Sequence, residues 1–177
     1  MINTKYEEIR RQIKSGDAIF FKADYKNRTL WDKLQIFAIQ LFTLSKYTHC
    51  GFVVKLGSRL MLCDMTKSRG CSLSPLSEVG DFIIESAPRE MKRATGEWVL
   101  KQLGHLRYSV PEAIEGGLGI LGASHDNESM CAELLRDMLL MDDYQNLPKI
   151  VTPESLREWC ANGWGGARKE SESILKE

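Results

Sequence analysis

The chain has 177 residues, 43% of them hydrophobic, which is enough for one compact domain with a sizeable core. Its 24 basic residues balance 24 acidic ones, so no global field draws it to nucleic acid or to an anionic membrane. The basic pairs Arg10-Arg11 and Lys92-Arg93 are short and read as solvated helix surface.

The charged N-terminus, Met1 to Lys14, carries no apolar core of signal-peptide length. The longest apolar run, Leu34 to Leu44, is interrupted by Gln35 and Gln40 and is too short to span a bilayer. This predicts neither a signal peptide nor a transmembrane segment. The expected location is the cytoplasm, or release with or within a virion if the chain is of phage origin. Oligomeric state leaves no mark in the sequence.

In chain order, Tyr6 to Ile13 reads as a short amphipathic helix ending before Ser15-Gly16-Asp17. The turn at Gly16-Asp17 leads into the apolar run Ala18-Ile19-Phe20-Phe21, a buried strand. Leu30 to Ser45 is a helix, apolar around much of its circumference, that must pack on a sheet. Thr48 to Lys55 and Arg59 to Asp64 are two strands joined around Leu56-Gly57-Ser58, and Asp81 to Glu85 is a third. Arg89 to Leu103 is helical, with Met91, Ala94, Trp98 and Leu103 available for burial. A glycine-rich loop covers Glu115 to Gly122. A helix follows over Ser129 to Met141, and a last one over Pro153 to Trp159 has Thr152 as its cap. The pattern gives one α+β domain over residues 1–161 and a flexible, polar tail over 162–177, in which Trp164 has no assigned part.

The chemistry-bearing residues are a cysteine and a histidine far apart in sequence. Cys131 falls in the first turn of its helix, behind Ser129 as the expected N-cap. Unpaired N–H groups and the positive end of the helix dipole favour a thiolate there. Leu134, Leu135 and Met138 share its face, so a plain packing role is the competing reading. His49 opens the strand Thr48 to Lys55, and a cysteine nucleophile needs such a base close in space. If Lys55 to Ser58 form a four-residue loop, Val54 faces Arg59 and His49 lies directly opposite Asp64. A carboxylate there would fix the imidazole tautomer. A half-exposed His and Asp at strand ends is the alternative. Of the other cysteines, Cys50 points to the face opposite His49 and joins Cys63 in the core, and Cys160 packs beside Trp159. Cys71 has no assigned role, and no CxxC pair suggests zinc. His105 and His125 are placed at the surface.

Several short motifs occur in one order: Gly16-Asp17-Ala18-Ile19-Phe20-Phe21, then Thr48-His49-Cys50-Gly51-Phe52-Val53-Val54, then Asp64 on the next strand. Gly104-His105-Leu106-Arg107-Tyr108, Cys131-Ala132-Glu133-Leu134 and Thr152-Pro153-Glu154-Ser155-Leu156 follow. Together they resemble the permuted papain-fold branch of the NlpC/P60 superfamily, the YiiX- and YebB-like cysteine hydrolases, over about Ser15 to Leu156. Lecithin:retinol acyltransferase-like proteins are a more distant likeness. The base-before-nucleophile order marks the permuted branch. Asp64 stands where that branch more often has Glu, and one extra residue separates Gly104 from Tyr108.

The resemblance implies an antiparallel sheet packed against the nucleophile helix and a cysteine peptidase or amidase. Cys131 would be the nucleophile, His49 the base and Asp64 the orienting residue. Glu133 and Tyr108 would stand beside the oxyanion, though an acid in a first turn also has a capping role. The implied substrate is a peptide or peptidoglycan stem, with no metal or organic cofactor. Two other functions fit the same residues: a thioesterase or lipid acyltransferase acting on an acyl lipid, and a non-catalytic virion or host-interaction module. Specificity is expected in the loops Lys22 to Thr29 and Glu115 to Asn127.

Overall fold

A computed structural model of the chain describes residues 4–22, 46–108 and 128–166. Five strands dominate it: β1 (Ala18–Lys22), β2 (Tyr47–Leu56), β3 (Arg59–Thr66), β4 (Gly70–Pro75) and β5 (Ile83–Glu85). They pair antiparallel in the order β4-β3-β2-β1-β5. The helices are α1 (Thr4–Ile9), α2 (Arg93–Gln102), α3 (Cys131–Met141) and α4 (Pro153–Ala161). A short parallel pair, β6 (Arg107–Tyr108) with β7 (Glu128–Ser129), leads into α3. The architecture is α+β with an antiparallel sheet, as the sequence predicts at that level.

Alternation along the strands sorts side chains onto two faces. On one face Phe20, Cys50, Phe52, Val54, Cys63 and Met65 meet Leu134, Leu135, Met138 and Leu139 of α3. On the other, Ile19, Val53, Leu60 and Leu62 meet Tyr6 and Ile13. Each fully buried aliphatic side chain of this kind stabilises the fold by roughly 1.5–3 kcal/mol. Burial of β2 on both faces explains its near-continuous apolar run from Gly51 to Val54.

The Gly16-Asp17 turn is a structural joint. Gly16 takes φ +94°, a conformation suited to glycine. Asp17 is fully buried and accepts from the backbone N–H groups of Lys14 (3.0 Å) and Ala87 (2.8 Å). The turn is also laced to β2, with Gly16 N donating to Val53 O and Val53 N to Asp17 O, each at 2.9 Å.

Several expectations change in detail. The β2–β3 connection is the two-residue turn Gly57-Ser58, with Gly57 at φ +61°, so Leu56 rather than Val54 faces Arg59. Strand β4 has no counterpart in the sequence reading, because Gly-Cys-Ser-Leu-Ser-Pro is too small and polar to present a strand pattern. Helix α2 buries Thr95 and Val99, and Ala94 is exposed. The cap of α4 is as expected: Thr152 Oγ1 accepts from Ser155 N at 3.1 Å, with Pro153 at the first helical position. Trp164, left without a part by sequence, is buried against Tyr144 and Trp159, with ring centroids 5.3 and 5.8 Å away. The expected helix over 30–45, the loops over 23–29 and 115–127, His125 and the tail beyond 166 lie outside the described residues. Among the described residues no helix is long and apolar enough to cross a membrane.

Candidate active site

Helix α3 begins at Cys131 itself, with the single residue Met130 between it and the end of the β7 pairing. Its N-cap is Met130, not Ser129, which belongs to β7. Glu133 supplies the cap from inside the helix: its carboxylate accepts from Met130 N at 3.1 Å. The acid in the Cys-Ala-Glu-Leu motif therefore acts on the backbone that presents the cysteine. Leu134, Leu135 and Met138 anchor the helix behind it, all essentially inaccessible to solvent.

His49 stands at the other wall of the site. Strand β2 carries one extra residue there, because Phe21 of β1 pairs with His49 while Lys22 pairs with Tyr47, skipping Thr48. Such a bulge re-aims the side chains beside it. Tyr47 and Cys50 both belong to the α3-facing core, and the His49 ring lies 5.5 Å from that of Phe21.

Asp64 reaches His49 diagonally, not from directly opposite. The ladder places Gly51 across from Asp64, two residues from the expected partner. A two-residue offset keeps both side chains on one face, and diagonal neighbours remain within reach. The His49 Nε2–H donates to Asp64 Oδ2 at 2.9 Å. Gly51 is what permits this. A Cβ at that position would come within 2.4 Å of Cys63 O and 3.1 Å of Asp64 Cβ, forcing the backbones apart beneath the carboxylate. Asp64 is 5% exposed, and the His49 side chain keeps 26% of its surface open to solvent.

Cys131 completes the group from α3. Its thiol lies beside Cys50 and His49 and interacts electrostatically with both. Since Nε2 of His49 faces Asp64, Nδ1 is the ring nitrogen left for the sulfur. The Cys50 hydrogen bond is the largest influence holding the Cys131 thiol well below its ordinary range; burial opposes it, and the His49 charge adds to it. Burial also disfavours a charged His49, yet the Cys131 sulfur and Asp64 outweigh it and raise the imidazole to about 10. Cys50 moves the other way, pushed well up by burial and then by its bond to Cys131. The arrangement favours a thiolate on Cys131, an imidazolium on His49 and a neutral thiol on Cys50.

Sequence reasoning brought Cys131, His49 and Asp64 into view, and the structure brings all three together. It missed Cys50 as a neighbour of Cys131. That residue lies in the core as expected, but its core position faces the first turn of α3. Tyr108 is placed by its backbone in β6, and its side chain is outside the described residues. His105 is exposed and Cys160 is buried. Cys63 and Cys71 are diagonal neighbours on β3 and β4, with Sγ atoms 4.0 Å apart. Among the described residues no group of three or more His, Cys, Asp or Glu is placed to hold a metal ion. A cavity walled by Tyr6, Ile9, Phe20, Phe82 and Ile84 opens beside α1, β1 and β5, and none of Cys131, His49 and Asp64 lines it.

No family model matches the sequence, and no curated protein matches it. Among solved structures, the chain is similar to the metalloprotein yiiX from Escherichia coli O157:H7 (DUF1105), at 17% identity and a TM-score of 0.46. The match covers 77% of this chain and 69% of that one.

Proposed function

We propose that the chain is a cysteine hydrolase that cleaves an amide bond in a peptide or peptidoglycan stem, on a permuted papain-like fold of the NlpC/P60 type. The observation that carries this reading is the cluster of Cys131, His49 and Asp64, with a charge-favouring hydrogen bond of 2.9 Å between the last two and a thiol held below its ordinary range. A thiol, an imidazole and a carboxylate brought together with shifted protonation suit a nucleophile, its base and an orienting group.

The chemistry follows from the positions. The Cys131 thiolate attacks the substrate carbonyl carbon, and its proton already resides on His49. Backbone N–H groups of the first turn of α3, Cys131 foremost, face the developing oxyanion with the positive end of the helix. His49 then gives its proton to the leaving amine, which departs and leaves a thioester on Cys131. A water, deprotonated by His49, attacks that thioester, and the carboxylic acid is released as the thiolate is restored. Asp64 keeps the imidazole in one orientation and stabilises its positive state throughout.

The test is a panel of peptidoglycan-derived muropeptides and an acyl thioester, with Cys131→Ala as the blank. The reading predicts new free amine from the muropeptides and none from the variant. Turnover of the thioester alone would move the substrate to the acyl class. Release by Cys131→Ala equal to that of the parent chain would remove the hydrolase reading.

A further inference from the structure

We propose that Ser72 is a positioning residue for Asp64: its hydroxyl donates a hydrogen bond to Asp64 Oδ1, the carboxylate oxygen that does not face His49. The proposal rests on the hydrolase reading for its purpose, though not for its geometry. Asp64 Oδ2 is engaged by His49, while Oδ1 is buried with no protein partner within bonding distance. Ser72 Oγ is buried and equally unpartnered. The two residues are direct partners across β3 and β4, so their side chains leave the same face of the sheet. Residues so paired have Cβ atoms roughly 4.5–5.5 Å apart. A serine hydroxyl is a donor on a single rotatable bond, and one change of χ1 aims it at the facing carboxylate.

Leaving both groups unpaired in the interior is costly, and joining them removes both costs at once. Thr66 Oγ1 is a third buried, unpartnered oxygen on this face. It is the weaker donor candidate, since it stands on the same strand as Asp64, about 6.6 Å along it, and its partner across β4 is Gly70. With Ser72 holding Oδ1, the carboxylate cannot turn about its Cβ–Cγ bond, and Oδ2 stays on His49 Nε2. The serine thus acts through Asp64 on the imidazole that faces Cys131. The groups facing His49 are Asp64 from β3, Cys131 from α3 and the uncharged Phe21 ring from β1.

The test uses the full chain with iodoacetamide as probe, and follows Cys131 alkylation against pH by peptide mass spectrometry, with thermal unfolding as the check on folding. Ser72→Ala is expected to move the acid limb of the profile to higher pH, slowing alkylation on that limb about three- to tenfold. Ser72→Thr keeps the hydroxyl and restores the parent profile, and Thr66→Val leaves it in place. An unchanged profile in Ser72→Ala overturns the proposal, as does a shift seen with Thr66→Val instead. If Cys131 of the parent chain reacts no faster than an ordinary thiol, the hydrolase reading fails and a second measurement decides the contact. In urea unfolding of Ser72→Ala, Asp64→Asn and the double variant, non-additive midpoints support the hydrogen bond and additive midpoints overturn it.

Discussion

Among the described residues three aspartates are buried, and they are treated in two different ways. Asp17 collects the N–H groups of Lys14 and Ala87 and the Lys14 ammonium at 3.1 Å. Asp142, at the end of α3 away from Cys131, is met by Arg89, by Lys92 N at 2.8 Å and by Thr95 Oγ1 at 2.8 Å. Arg89 also bonds the Asp142 carbonyl and lies over the Tyr144 ring. Asp64 by contrast engages one titratable ring through one oxygen. A carboxylate that holds a fold together is saturated with donors that never change charge. In the proposed reading Asp64 faces a group that must change charge, and the one further donor proposed for it, the Ser72 hydroxyl, is neutral.

That contrast separates activity from stability, and the largest effect it predicts is on activity. Asp64→Asn should lower turnover about 10²- to 10⁴-fold, because an amide facing Nε2 favours the wrong tautomer. It should alter folding stability by no more than about 1.5 kcal/mol. Asp64→Glu keeps the charge and should retain far more turnover than Asn. Initial rates and urea unfolding of both variants check this. Near-normal rates in Asp64→Asn would break the comparison at its active end.

Asp142→Ala should do the reverse. Removing it strands the Arg89 guanidinium, the Lys92 N–H and the Thr95 hydroxyl, costing about 2–4 kcal/mol of stability. The rate of Cys131 alkylation in the still-folded protein should stay within about twofold, since independent, distant sites combine additively. A variant as stable as the parent chain would show that saturation of Asp142 is not what holds α2 to the end of α3.

How much of this was legible depends on the kind of signal each residue leaves. Cys131, His49 and Asp64 could be read because a helix start, a strand start and a same-face hairpin position each follow from local pattern. The hairpin register was misjudged by two residues, since Gly57-Ser58 alone makes the turn, and the face survived because the strand period is two. A one-residue error would have lost it. Ser72 was invisible, as a strand of small polar residues has no periodic signature and depends on pairing with β3 for its existence. Cys50 was correctly sent to the core, but no local pattern says which helix lies over that core position. Met130 displaced Ser129 as N-cap because pairing of β7 with β6 holds Ser129 in extended backbone and Glu133 caps from within. Trp164 needed Tyr144 and Trp159 to give a glycine-flanked aromatic a place, a tertiary fact absent from its own neighbourhood.

The central claim is that Cys131 is poised as a thiolate beside a protonated His49, while burial keeps Cys50 and Cys160 as neutral thiols. Second-order rates of iodoacetamide alkylation at each cysteine, measured across pH 5 to 9 on the folded chain, test it most directly. Alkylation needs the thiolate, and an ordinary thiol, with pKa about 8.5, slows about tenfold for each pH unit below that value. Because the hydrogen bond from Cys50 and the His49 charge lower the Cys131 pKa, its rate should fall far less steeply below pH 8 than that of an ordinary thiol. Cys50 and Cys160, both held up by burial, should remain unlabelled over that range. A Cys131 rate that drops tenfold per unit below pH 8, or labelling of Cys131 only after unfolding, would contradict the account.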